Sequence, residues 1–99
     1  MKLHLASENE NQYAMFHCVG CECGHQVRVK GPEPCWGWNE SLDKPTFTPS
    51  ILVNRGSTNS NMPQCHSFVT DGKIQFLSDC SHSLKGQTIE LPEWDDDTY

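Results

Sequence analysis

A small, mainly antiparallel β domain is the fold class this sequence predicts, and three observations carry it. Strand-like alternation recurs along most of the chain, helical character is confined to residues 81–86, and an Asp71-Gly72 pair between two alternating runs marks a tight hairpin. The 99 residues form one domain, 1–99, since domains usually run to about 100–150 residues. A chain of this size buries only about 60–65% of the surface its unfolded form exposes. Only 35% of its residues are hydrophobic, and six of these are cysteines. Such a core calls for an added staple.

Residues 1–12 read as a polar lead-in. Residues 13–18 form a first strand with Ala14, Phe16 and Cys18 on one face. Val19-Gly20-Cys21 makes a tight turn, and residues 26–30 alternate polar and apolar as a second, half-buried strand should. Gly31-Pro32-Glu33-Pro34 breaks the sheet, after which Trp36 and Trp38 fall on one side of an extended segment as packing bodies. Pro45 and Pro49 hold residues 44–50 extended before an apolar strand at 51–53. Residues 54–64 lack any apolar period and read as an exposed loop. The hairpin follows, with arms at 65–70 and 73–78. Residues 81–86 suggest one helical turn, residues 87–91 a last strand, and residues 92–99 an acidic tail.

Charge and leader narrow the function. Thirteen acidic side chains against seven Lys and Arg leave a net charge of -6, which argues against a groove that tracks phosphates and so against nucleic acid. No apolar run approaches the roughly 18 residues of a membrane span. The start turns polar after five residues, too early for a signal-peptide core. The expectation is a cytoplasmic protein with reduced thiols.

Cys18-x2-Cys21 is the spacing at which two thiolates on a turn reach one tetrahedral zinc. A second cluster, Cys65, His66, Cys80 and His82, brackets the hairpin and can close the site. A two-residue Asp71-Gly72 turn sets Val69 opposite Ile74 and Ser67 opposite Phe76. Cys65, Cys80 and His82 then share one sheet face, and His66, Phe68, Leu77 and Asp79 share the other. Cys65 is therefore chosen over His66 as the third ligand, with Cys80 or His82 as the fourth. His25, His66 and Asp79 are left as candidate acid/base groups or an open second metal site, or as supports that orient the ligands. The expected architecture is a zinc-ribbon-like domain, a knuckle strand pair and a later hairpin clamped by one structural Zn2+.

The run of motifs Cys18-x2-Cys21-x3-His25, Trp36-Gly37-Trp38-Asn39, Lys44-Pro45-Thr46-Phe47-Thr48-Pro49-Ser50-Ile51-Leu52-Val53, Cys65-His66-Ser67-Phe68-Val69-x-Asp71-Gly72 and Leu77-Ser78-Asp79-Cys80-Ser81-His82-Ser83-Leu84-x-Gly86-Gln87-Thr88 resembles a family of small phage and prophage proteins. These often carry the label "ammonia monooxygenase", for which the residues offer no chemical basis. The resemblance covers about residues 14–94 and implies a phage or mobile-element origin and a zinc-binding fold. It also implies His82 as the fourth ligand, because Ser can stand at the position of Cys80 in that family while the histidine persists. Val19 replaces the family's usual Pro, and Cys23 and Cys35 are spare thiols particular to this chain. The expected function is an accessory protein that binds a host or phage protein and blunts a host defence. The alternatives are a small zinc hydrolase using His25, His66 and Asp79, and a component related to bacterial ubiquitin-like conjugation, beside whose genes relatives with this zinc pattern occur.

Overall fold

Alternation of apolar and polar side chains builds two antiparallel sheets in the computed structural model, which describes residues 1–95. Asp96 and Asp97 of the expected acidic tail lie outside the described residues. The first sheet has the order β1-β2-β3, formed by His4–Glu8, Asn11–Cys18 and Cys23–Lys30. The second runs β4-β5-β6-β7-β8, formed by Gly37–Trp38, Phe47–Val53, Cys65–Thr70, Lys73–Phe76 and Thr88–Glu90. No helix occurs among the described residues, so the domain is all-β, with a zinc-ribbon-like pairing of a knuckle hairpin and a later hairpin. It follows that no helix there is long and apolar enough to cross a membrane.

The expected first strand is present, and its Ala14, Phe16 and Cys18 are fully buried. Opposite them in β3 stand Val27 and His25, paired with Ala14 and Phe16. From the second sheet come Phe47, Ile51, Cys65, Ser67, Val69, Ile74 and Phe76, all buried. Phe16 stacks on Phe47 with centroids 6.2 Å apart, so the two sheets meet in a single core. Aromatic pairing of this kind adds about 0.5–1.5 kcal/mol beyond the area it buries.

The hairpin register is as parity requires, with Val69 opposite Ile74 and Ser67 opposite Phe76. Asp71 and Gly72 take φ of 50° and 79°, the left-handed pair that a two-residue type I′ turn demands. Gly72 is also close-packed, since a Cβ there would come 3.1 Å from the backbone of Asp43 and Lys44.

Two expectations change. Residues 1–12 are no lead-in: β1 pairs with β2 from His4↔Met15 to Glu8↔Asn11, and Leu3 enters the core while Leu5 packs against it. Two apolar side chains were too few to signal a strand whose partner supplies the hydrogen bonds. Residues 81–86 make consecutive turns, closed by Lys85 N–H to His82 O and Gln87 N–H to Leu84 O, and not a helical turn. Gly86, at φ 80°, ends that run.

Candidate functional site

The turn after β2 builds the first site. Glu22 N–H closes on Cys18 O at 2.8 Å, Glu22 takes φ 57°, and Cys21 N–H points at Cys18 Sγ at 3.4 Å. Cys18 and Cys21 thus face one point, with an amide dipole aimed at the sulfur where thiolate charge would sit. Cys65, at the start of β6, lies across the core with its Sγ 4.0 Å from that of Cys18. The cross-strand pair Phe16↔His25 brings His25 to the same inner face. The ligand atoms of Cys18, Cys21, His25 and Cys65 all lie within 4.8 Å of one another. A second group, Cys65, Cys80 and His82, shares Cys65. These Cys/His groups could hold a metal ion.

Two features of the chain test that fit. The Nε2 atoms of His25 and His82 are buried without a hydrogen-bond partner, and an orphaned buried nitrogen is costly unless something occupies its lone pair. His82 differs from His25 in that its Nδ1 accepts the Leu84 N–H at 3.2 Å, which leaves Nε2 as the ring nitrogen without a partner. The His82 ring also lies directly over Gly20, where a Cβ would collide with it. The three thiols are strongly coupled. Hydrogen bonds from Cys21 and Cys65, helped by His25, hold the Cys18 thiol far below its ordinary range. The hydrogen bond with Cys18 pushes Cys21 up to about 12. Its hydrogen bonds with Cys18 and Cys21, together with burial, raise Cys65 strongly. One thiolate forms easily and the next two are opposed by its charge, so full deprotonation requires a cation among them.

The alternation of β6 then separates the chemistry. Cys65 points into the core and His66 points out, and His66 meets two groups from distant segments. Its Nδ1 lies 3.0 and 3.2 Å from the two carboxylate oxygens of Asp79, and its Nε2 lies 3.0 Å from Ser50 Oγ. With Nδ1–H donated to the carboxylate, Nε2 is free to accept the Ser50 hydroxyl proton. This is the mutual geometry of nucleophile, base and orienting acid. The order Ser, His, Asp along the chain differs from those of the familiar serine hydrolases, but a triad is recognised by geometry.

Each member is held from behind. The ladder from β5 to β6 breaks between Phe47↔Val69 and Ile51↔Ser67, so Thr48, Pro49 and Ser50 together oppose Phe68. That bulge turns Ser50 toward His66. Trp36 Nε1–H donates to Ser50 O at 3.3 Å. Cys80 Sγ accepts His66 N–H and donates to His66 O, both at 3.2 Å. Gln64 Nε2–H donates to Asp79 O at 2.7 Å, while its Oε1 takes Gly56 N–H, also at 2.7 Å.

Of the residues singled out from sequence, Cys18, Cys21 and Cys65 come together, with His25 beside them. His82 and Cys80 group with Cys65 alone. His66 and Asp79 pair on the opposite face, away from His25, so the three do not assemble one open metal site as the hydrolase alternative required. Alternation is the reason, since His25 and Cys65 face inward and His66 outward. Ser50 was missed as a functional residue, although it lies within the motif that runs from Lys44 to Val53; its signal is the Pro49 that disturbs strand alternation immediately before it.

Fold and site together define a small all-β domain with a serine–histidine–aspartate constellation on one face of a sheet and a thiol-rich cluster on the other. Residues 1–77 match the model of a family described as bacterial ubiquitination-like system serine protease (BubE), and the chain belongs to that family. The matched segment contains Ser50 and His66, and Asp79 lies just beyond it. No curated protein and no solved structure matches the chain.

Proposed function

We propose that this protein is a serine peptidase of a bacterial ubiquitination-like system, with Ser50 as nucleophile, His66 as general base and acid, and Asp79 as the group that orients His66. The single observation that carries the reading is the Ser50 Oγ to His66 Nε2 contact at 3.0 Å, continued to Asp79 at 3.0 Å. Ser50 Oγ attacks the acyl carbon of a peptide or isopeptide bond in a protein of that system. His66 Nε2 takes the hydroxyl proton and returns it to the leaving amine, and the Asp79 carboxylate stabilises the imidazolium formed between the two steps. Water then releases the acyl group by the reverse proton path.

The metal in this reading is zinc, held by Cys18, Cys21, His25 and Cys65. Three thiolates and an imidazole suit zinc and close its tetrahedron, which is the pattern of a structural site without an open position. The six unpaired cysteines fit a reducing, cytoplasmic setting. A phage-borne accessory role requires no contact between Ser50 and His66, whereas peptidase chemistry does, and for that reason the catalytic reading is preferred.

The test is turnover of a ubiquitin-like protein fused through its C-terminus to a reporter. Ser50→Ala should lower kcat by about 10^4-fold or more with metal content unchanged. Undiminished cleavage by Ser50→Ala would refute the assignment.

A further inference from the structure

On a sheet with one face in the core, outward positions are expected to be polar. Thr48, Thr70, Lys73 and Gln75 obey this on the second sheet. Leu52 and Phe68 do not, and each is 41% exposed. Both lie beside the triad. Leu52 is the direct cross-strand partner of His66, and Phe68 stands opposite the bulge that carries Ser50. The four outward side chains make a square, with Ser50 and His66 on one diagonal and Leu52 and Phe68 on the other. Cross-strand neighbours have Cβ atoms about 4.5–5.5 Å apart, which sets the reach to Phe68, and residues two apart on one strand stand about 6.5 Å apart, which sets the reach to Leu52, so an acyl group on Ser50 lies within a side chain's length of both apolar residues. Leu77 extends the apolar border, as its N–H, one residue beyond the end of β7, donates to His66 O at 2.9 Å.

We infer that Leu52 and Phe68 are the specificity-determining residues of this site, and that its substrate is an extended polypeptide with a bulky apolar side chain beside the bond cleaved. The inference rests on the peptidase reading of Ser50, His66 and Asp79. Exposed apolar side chains framed by polar ones mark a binding surface, and here the nucleophile at one corner of the square, adjacent to both apolar residues, identifies the occupant as the substrate. The face is open, with the Asp79 side chain 51% and the His66 side chain 26% exposed. An extended chain can lie across such a face, and the Asp79 carboxylate at its edge disfavours an acidic residue next to the cleaved bond.

The test uses the full chain and two sets of synthetic peptides, one carrying Leu or Phe within two positions of the cleaved bond and one carrying Ser there. Leu52→Ser and Phe68→Ser should each lower kcat/KM for the apolar set about tenfold more than for the Ser set, with the extra loss appearing in KM. Labelling of Ser50 by a fluorophosphonate reports whether the nucleophile is still in place in each variant. Equal losses on both sets, or a fall in kcat with KM constant, would overturn the inference. Binding to Ser50→Ala protein gives a readout without turnover, and the apolar set should bind about tenfold more tightly than the Ser set. Cleavage of both sets with no difference in that binding would sink the specificity assignment and leave the peptidase reading intact. A fluorophosphonate that fails to label Ser50 would sink the peptidase reading, and with it the inference.

Discussion

The inner and outer faces of β6 hold two different chemistries one residue apart. Cys65 faces inward, fully buried among thiols and an orphaned imidazole, while His66 faces outward between a hydroxyl and a carboxylate. The same inversion recurs after β7, where Asp79 points out to His66 and Cys80 points in, its sulfur clasping the His66 backbone. The period of two along a strand allows this, because neighbouring residues serve opposite faces at no cost in chain length. The inner face fixes where β2, β3 and β6 lie, and the outer face uses that placement to bring Ser50, His66 and Asp79 within 3.0–3.2 Å. The lesson is that one strand serves both faces of so small a core: β6 carries His66 outward and is held inward by Cys65, within a cluster that could hold a metal ion.

The largest effect expected from breaking this arrangement comes from the inner face. Cys21→Ser, or a chelator, should release the metal and unfold the domain, because structural zinc supplies about 10 kcal/mol or more to folding against a typical total of about 5–15 kcal/mol. Cys23→Ser, at an exposed position outside the cluster, should change stability by no more than about 0.5 kcal/mol. Thermal melts with matched metal analysis would check both, and equal damage from the two variants would count against the assignment of ligands.

On the outer face, Asp79→Asn should leave fold and metal intact and lower kcat by about 10^3–10^4-fold, since the amide no longer fixes the tautomer that His66 needs. Steady-state kinetics of the folded variant would decide it. A smaller contrast sharpens the inner face. His25→Ala should lose the metal, while His82→Ala should keep it, because the Leu84 N–H occupies His82 Nδ1. The reverse pattern in metal content would return His82 to the coordination sphere.

The smallest effect should arise where the two faces touch. Cys80→Ala removes the clasp on His66 and should reduce kcat by roughly fivefold, in line with about 1 kcal/mol for a neutral hydrogen bond. Cys80→Ser, which can still accept and donate, should recover most of that loss. A fall in metal content in either variant would show that Cys80 serves the metal and not the backbone of His66.

How much of this was legible depends on how local each signal was. Cys18 and Cys21 share one turn, and the Asp71-Gly72 turn fixes the hairpin register, so the faces of Cys65, His66 and Asp79 followed from parity alone. The pairing of His66 with Asp79 was readable for the same reason. Ser50 was not, because a bulge of Thr48, Pro49 and Ser50 against Phe68 sets its direction, and no count along the sequence reveals how many residues a bulge holds. His25 was set apart from the thiols because β3 begins at Cys23 and not at 26, and only the register Phe16↔His25 places its ring on the inner face. Strand β1 escaped notice because its evidence lay in the partner strand.

The most direct test of the account is a fluorophosphonate reaction on the metal-loaded protein, read by intact mass, peptide mapping and metal content in one sample. A single adduct on Ser50 is expected, absent in His66→Ala, with one metal ion per chain retained before and after reaction. An adduct on another residue, labelling that survives His66→Ala, or metal lost as Ser50 reacts would contradict the division of labour between the two faces.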